Sequence, residues 1–129
     1  MNELDLHNPL LEFLGVSLTK WNDGYAEMRL PLTPVLLNRT GVVQGGVICT
    51  LLDAAAGYAG LYAPSGGDRV HSATLSLTSN FLSNGVGSFL TGKGTVEKKG
   101  HKIYFSRAEV WLDDELLVAT GIGTFKYLR

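Results

Sequence analysis

The sequence has very little cysteine and almost no net charge. Cys49 is the only cysteine among 129 residues, so no disulfide can form within the chain, and a reducing compartment such as the cytoplasm is expected. The formal net charge of −1 provides no general attraction to nucleic acid or to an anionic membrane. No basic segment precedes an apolar run at the N-terminus, which argues against a signal peptide. The longest helix-like apolar run, residues 45–63, contains four glycines and one carboxylate, which argues against a transmembrane span.

Several common catalytic motifs are also missing. The three histidines, His7, His71 and His101, are far apart in the sequence and lack metal-ligand spacing. The segment GKGTVEKKG lacks the Walker pattern of a phosphate-binding loop, and no G-x-S-x-G sequence is present. These absences argue against a metal site, a P-loop nucleotide site and the nucleophile elbow of a serine hydrolase.

What is present indicates one α+β domain over residues 1–129. A short apolar helix is predicted to end near Gly15, and two apolar-rich runs on either side of Asn22-Asp23-Gly24 predict a hairpin. A long helix follows, and the remainder has the pattern of strands without any βαβ alternation. The sequence therefore predicts an antiparallel sheet of five or six strands packed on one long helix.

The long helix is predicted from an apolar stripe that runs from Ile48 to Ala59 with a period of about 3.6 residues. Because it is apolar on all sides, we expect it to be enclosed, and we expect PSGGD at residues 64–68 to end it. The next segment, HSATLSLTSNFL, alternates hydroxyl and apolar side chains with the period of a strand. Further turns are expected at Lys98-Lys99-Gly100 and at Asp113-Asp114-Glu115.

Asp53 is the one carboxylate inside the apolar helix. Its neighbours in the chain are Leu52 and Ala54, and one turn away lie Cys49 and Gly57, so none of them can form an ion pair with it. An aspartate in a helix commonly faces solvent or caps a loop. Held in a cleft, it can instead serve as a general base or a nucleophile. The spacing leaves both interpretations open.

Gly45 and Gly46 stand where this helix is predicted to begin. Glycine lets a ligand approach the free N–H groups of a helix N-terminus, where the helix dipole favours a developing negative charge. An oxyanion hole requires such an arrangement, although a glycine pair is also common in a simple turn. Gln44 and Asn38 precede the pair, and each can donate to a carbonyl, orient a water or serve as an ordinary polar loop residue.

Basic residues collect in the C-terminal half of the chain. Such a cluster can be the solvated face of a hairpin, or it can bind the phosphates of a ligand. Its members are Lys93, Lys98, Lys99, Lys102 and Arg107.

The combination of these features is more specific than any one of them. NRTGVVQGGVICTLLDAAAGYA, followed by ATLSLTSNFLSN, resembles the hotdog-fold acyl-CoA thioesterases. Within that family the sequence is most similar to the phenylacetic-acid-degradation and THEM-type (4-hydroxybenzoyl-CoA thioesterase-like) group. The resemblance covers nearly the whole chain. It implies a curled antiparallel sheet wrapped around one long central helix, in agreement with the pattern of strands and helices.

The resemblance also implies roles for individual residues. Asp53 matches the catalytic carboxylate, and Gly45 matches the residue whose N–H polarises the thioester carbonyl. Asn38 matches an asparagine near the scissile group. Thr74 matches a hydroxyl residue that helps to hold the attacking water, usually across a subunit interface. One departure from the pattern is Gln44, which stands where this group usually has histidine and can donate a hydrogen bond but cannot titrate near neutral pH.

The implied substrate is an acyl-CoA, and the implied assembly is a homodimer or homotetramer. No cofactor is expected beyond the coenzyme A of the substrate, and neither nucleic acid nor a membrane is expected as a partner. A non-catalytic acyl-CoA binding or sensing domain and a hotdog hydratase or dehydratase are the alternatives, although the last would need a catalytic histidine. Aromatic residues that could line an acyl pocket or fill the core include Trp21 and Tyr62. The residues expected to contact substrate are Gly46, Tyr58, Phe81, Lys98, Lys99 and Arg107.

Overall fold

The computed structural model describes residues 4–64 and 70–128. Within these ranges the chain forms two α-helices, one short 3₁₀ turn and a six-stranded sheet. The elements are α1 (Pro9–Leu14), β1 (Ser17–Asn22), β2 (Tyr25–Pro31), the 3₁₀ turn (Pro34–Leu36), α2 (Gly45–Ala59), β3 (His71–Phe81), β4 (Phe89–Lys99), β5 (Ile103–Leu112) and β6 (Leu116–Leu128). The strand order is β1-β2-β4-β5-β6-β3 with every neighbouring pair antiparallel, so the predicted α+β architecture is confirmed.

The predicted turns are confirmed in two places and shifted in two others. Asn22 pairs with Tyr25 across a two-residue loop, where Gly24 has a φ of 82° that glycine adopts without strain. The turn at residues 113–115 joins β5 to β6 as expected. However, β4 continues through Lys99, so the first basic turn lies at residues 100–102. Helix α2 ends at Ala59, before PSGGD, most of which lies outside the described residues.

Helix α2 packs against all six strands of the sheet. Its buried face includes Leu51, Leu52 and Ala55, which are fully inaccessible to solvent. The sheet approaches closely at Gly94 of β4, where a Cβ atom would collide with the Ala55 carbonyl oxygen, so only glycine fits there. Among the described residues, no helix combines the length and apolar character needed to cross a membrane.

Side chains from the sheet satisfy carbonyl groups at the C-terminal end of α2. Tyr104 donates to the Gly57 carbonyl at 2.6 Å, Tyr127 to the Gly60 carbonyl at 2.8 Å, and Trp21 Nε1 to the Tyr58 carbonyl at 2.8 Å. The Gly57 and Tyr58 carbonyls also accept from the Gly60 N–H at 3.2 Å and the Leu61 N–H at 3.0 Å, so the side-chain bonds add to the backbone bonds of the last turn. Burial raises the pKa of Tyr104 far above its ordinary value, which keeps the phenol protonated as a donor. The helix is therefore held in one position on the sheet.

One face of α2 is not covered by the chain's own sheet. Gly46 is exposed, and Cys49, Thr50 and Asp53 are only partly buried, at the spacing of one helical stripe. The prediction that the helix is enclosed on all sides is therefore wrong for a single chain. The physical reason is that the sheet covers the stripe of larger apolar residues and leaves the small and polar stripe accessible.

Candidate active site

Asp53 lies in the middle of α2 and is hydrogen-bonded to Thr74 of β3. Thr74 Oγ1 donates to Asp53 Oδ1 at 2.7 Å within the same chain. The two ion pairs among the described residues, Arg29–Asp114 and Arg107–Glu97, do not involve this carboxylate. Asp53 is thus partly accessible and without a basic partner, as its sequence neighbours indicated. Asp53 and Thr74 together are called the acid half-site below.

A β-bulge turns Thr74 toward Asp53. Thr74 stands opposite Phe125, whereas Ser76 stands opposite Thr124, so Leu75 is an extra residue in β3. Phe125 is buried against the helix, which places Thr74 on the inner face of the sheet. Beyond the bulge the alternation is reversed, and Ser76 faces outward. The hydroxyl residues of this strand, which alternate regularly in sequence, are therefore divided between two faces of the sheet.

A second hydroxyl on the inner face belongs to Ser72. Tyr104 gives its only hydroxyl proton to the Gly57 carbonyl, so in the 2.9 Å contact between Tyr104 and Ser72 the serine must be the donor. Ser72 therefore presents only lone pairs to its other neighbours. Sequence patterns contained no signal for this network, because its members are far apart in the chain.

A cavity of about 250 Å³ lies beside the acid half-site. Its walls come from α2, the start of β3, the segment before and within α1, and the Trp21 ring. His7 and His71 both line it, although their sequence positions gave no reason to connect them with Asp53. Among the described residues, no cluster of His, Cys, Asp and Glu side chains could hold a metal ion.

The first residue of α2 belongs to a different cavity, of about 340 Å³, together with Asn38 and Phe81. The N–H groups of Gly45 and Gly46 have no acceptor among the described residues. Asn38 Oδ1 accepts from the Thr40 N–H at 2.9 Å and from Thr40 Oγ1 at 2.7 Å, which leaves the NH₂ group of Asn38 as a donor. Asn38 and Gly45 form a second group, called the donor half-site below.

The two half-sites are separated along the helix. Gly45 and Asp53 are eight residues apart in α2. At a rise of 1.5 Å per residue, this amounts to about 12 Å. A single thioester carbonyl cannot contact both groups of one chain at hydrogen-bonding distance. Within one chain the two groups therefore cannot act on the same carbonyl.

Comparison with known proteins decides the family. The model of the thioesterase superfamily matches residues 40–119, which include Gly45, Asp53 and Thr74 but not Asn38. The chain belongs to the thioesterase superfamily. This membership confirms the predicted hotdog fold and the predicted enzyme class, a thioester hydrolase.

Individual relatives of this thioesterase cover most of its length. A Saccharolobus solfataricus protein named as an esterase is 30% identical over 120 residues, which is 93% of this chain and 84% of the relative. The medium/long-chain acyl-CoA thioesterase YigI of Salmonella typhimurium is 24% identical over 132 residues, with coverage of 92% and 85%. The structure of the BH2602 protein from Bacillus halodurans with CoA has a TM-score of 0.82 at 27% identity, with coverage of 96% and 81%.

The implied position of Thr74 in this thioesterase needs correction. The resemblance suggested that Thr74 lies opposite a partner's helix rather than its own. In the structure it contacts Asp53 of its own chain, because the bulge in β3 directs it inward. The group that is out of reach of Asp53 is the donor half-site.

The other predicted substrate residues divide between the two cavities or lie outside both. Tyr58 lines the cavity of the acid half-site, and Phe81 that of the donor half-site, with its ring 3.7 Å from a Cβ built on Gly45. Gly46 faces open space. Gln44 lines neither cavity; its Nε2 donates to the Leu37 carbonyl at 3.4 Å, a long bond.

The predicted basic residues also lie outside both cavities. Arg107 is opposite the exposed Ile122 on the outer face of the sheet, and it forms an exposed ion pair with Glu97 at 3.7 Å. Lys98 and Lys99 are exposed near the end of β4. Their assignment to coenzyme A phosphates stays a prediction.

Proposed function

We propose that this thioesterase hydrolyses an acyl-CoA to a carboxylic acid and free coenzyme A, at active sites formed by the acid half-site of one chain and the donor half-site of a second. The observation that supports it most directly is the partly accessible Asp53 carboxylate, hydrogen-bonded by Thr74 but without a cation. A YigI relative named for acyl-CoA hydrolysis and a CoA-bound structural neighbour favour coenzyme A as the thiol.

The proposed reaction uses each group according to its hydrogen-bonding character. Asp53 accepts a proton from water, and the water oxygen forms a bond to the thioester carbonyl carbon. Negative charge then develops on the carbonyl oxygen, which accepts hydrogen bonds from the Gly45 N–H and from the NH₂ group of Asn38. The carbon–sulfur bond breaks, and the thiolate of coenzyme A takes up the proton. No cofactor beyond the coenzyme A of the substrate is needed.

Asp53 could alternatively attack the carbonyl carbon itself and form an anhydride that water hydrolyses. The contact with Thr74 is compatible with both routes, because Thr74 donates to one carboxylate oxygen and leaves the other available. A single turnover in ¹⁸O-labelled water tests for direct attack. Label in the Asp53 carboxylate with none in the released acid would show direct attack, with water cleaving the anhydride at the Asp53 carbonyl carbon, whereas the general-base route places the label in the released acid and none in Asp53.

The arrangement of two chains follows from the exposed face of α2. If two copies of this face pack antiparallel about a two-fold axis, residue 45 of each helix lies near residue 53 of the other. The axis then passes near Cys49, midway between them. Among the described residues β3 pairs only with β6, so its other edge, eleven residues long, is available to continue the sheet into the second chain. A dimer of this kind completes two sites at once.

The direct experiment is to incubate the purified protein with acyl-CoA thioesters that cover short, medium and long chains and arylacetyl groups, and to measure free thiol. We expect thiol release with at least one of them. Binding of acyl-CoA without any thiol release would contradict hydrolysis and indicate the non-catalytic binding domain. Hydration of an enoyl-CoA without loss of the thioester would indicate the hydratase instead.

A further inference from the structure

The segment that precedes and forms α1 closes one side of the cavity beside Asp53. It contributes Leu6, His7, Asn8, Leu10 and Leu11 to the cavity wall. The opposite wall continues from Asp53 through Gly57 to Tyr58 of α2. Five residues of helix separate Asp53 from Tyr58, about 7.5 Å at the usual rise. The cavity thus extends from the carboxylate toward the C-terminal end of the helix, away from the donor half-site of the same chain.

This segment is fastened at both ends. The Tyr58 hydroxyl donates to the Leu6 carbonyl at 2.7 Å, and the Leu6 side chain is only 6% exposed. At the other end Leu11 is 3% exposed, and Asn8 Oδ1 accepts from the Leu11 N–H at 3.2 Å as the N-cap of α1. Its position therefore depends on contacts within one chain.

We propose that the segment Leu6–Leu11 is the far wall of the acyl pocket and sets the longest acyl group that the enzyme accepts. This inference rests on the proposed function, because it takes the cavity beside Asp53 as the acyl pocket. The cavity volume is about 250 Å³. An acyl group that extends beyond this space meets the wall formed by Leu6–Leu11.

Leu10 and Phe13 provide a matched pair for the test. Both are exposed apolar residues of α1, at 57% and 86%, so substitution of either should leave the core intact. Only Leu10 lines the cavity. Leu10→Trp adds volume to the wall and Leu10→Ala removes it, whereas Phe13→Trp and Phe13→Ala change the side-chain volume in the same directions away from the cavity.

The experiment measures kcat/KM across acyl-CoA chain length for the wild type and the four variants. A methylene in an apolar pocket changes discrimination by about tenfold or more. Leu10→Trp should therefore lower kcat/KM at least about tenfold for the longest acyl groups that the wild type accepts, and about twofold or less for the shortest. Leu10→Ala should extend activity to longer groups. Both Phe13 variants should retain the wild-type profile.

Different results overturn different conclusions. An active wild type whose chain-length profile is unchanged by both Leu10 substitutions, or is changed equally by the Phe13 substitutions, would overturn the wall but not the proposed hydrolysis. A wild type that releases thiol from no acyl-CoA would overturn both. Thermal melting followed by circular dichroism establishes whether each variant is folded. If Leu10→Trp does not fold, the chain-length profile of Leu10→Ala still tests the proposal.

Discussion

The first turn of α2 and its middle have opposite hydrogen-bonding characters. Gly45 and Gly46 present N–H donors without an acceptor in the described chain, whereas Asp53 presents carboxylate oxygens next to a single hydroxyl donor. A thioester carbonyl needs donors as it becomes an oxyanion, and the attacking water needs an acceptor for its proton. In the proposed mechanism one helix therefore supplies both requirements of hydrolysis, but about 12 Å apart, so it would serve two sites better than one.

The two regions also differ in how mutation can remove them. The proposed proton-accepting function belongs to the Asp53 carboxylate and would be lost by a single substitution. The proposed donor function of Gly45 belongs to the backbone, and most substitutions there retain the N–H group. Proline is the exception, because it has no N–H.

Loss of the carboxylate should have the largest effect. Asp53→Asn keeps the size of the side chain but cannot accept the proton, so we expect kcat to fall by about 10²–10⁴-fold without loss of the fold. Thiol release and thermal melting measure the two outcomes. Asp23→Asn, in the exposed β1–β2 turn, is the matched control and should resemble the wild type. Near-normal turnover by Asp53→Asn would exclude Asp53 as base and as nucleophile.

Removal of the backbone donor should be nearly as damaging. Gly45 is the first residue of α2, where proline is well tolerated, and Gln44 already has the extended backbone, φ −57° and ψ 134°, that a following proline requires. Gly45→Pro should lower kcat by about 10²–10³-fold, the usual cost of losing one oxyanion donor. Gly45→Ala keeps the N–H and places its Cβ 3.7 Å from Phe81, so it should remain active. Equal losses in both variants would point to crowding instead of the donor.

Mixing variants determines whether the two regions act across chains. After joint unfolding and refolding, Asp53→Asn and Gly45→Pro chains should form mixed dimers with one intact site, which restores about a quarter of the wild-type activity under random pairing. Asp53→Asn mixed with Thr74→Val should restore none, because both changes affect the same half-site. If activity recovered when Asp53→Asn was mixed with Thr74→Val but not when it was mixed with Gly45→Pro, then Thr74 and not Gly45 would come from the second chain.

Within the acid half-site, Thr74 should matter less than Asp53. Thr74→Val removes a hydrogen bond to a charged group, worth about 1.5–3 kcal/mol, and should lower kcat about 10–100-fold if this bond orients the carboxylate for reaction. Thr74→Ser should retain most activity. Ser76→Val is the control on the same strand, because Ser76 lies beyond the bulge and faces outward. A loss in Ser76→Val as large as in Thr74→Val would indicate damage to the strand and not to the site.

The contrast between Thr74 and Ser76 shows where sequence analysis reaches its limit. Turn chemistry at Asp23-Gly24 and the apolar stripe of α2 are local, so the hairpin and the long helix could be predicted. The bulge at Leu75 depends on the register with β6 and has no glycine to mark it, so an unbroken alternation was the natural expectation. The family resemblance implies that Asp53 and Thr74 are site residues, which stays a prediction, and the structure shows that the two side chains contact each other within one chain.

The smallest effect is expected at Gln44, next to the backbone donor. The family resemblance implies a side-chain donor at this position, where histidine is usual, but the described Gln44 side chain bonds weakly to the Leu37 carbonyl at 3.4 Å and lines neither cavity. Its backbone N–H donates to the Leu36 carbonyl at 3.0 Å, and this bond survives any substitution except proline. Gln44→Ala should therefore lower kcat/KM by less than about tenfold, and Gln44→His should stay active. A loss above about 100-fold in a folded Gln44→Ala protein would show that the amide reaches the thioester in the assembled site and supports the oxyanion together with Gly45.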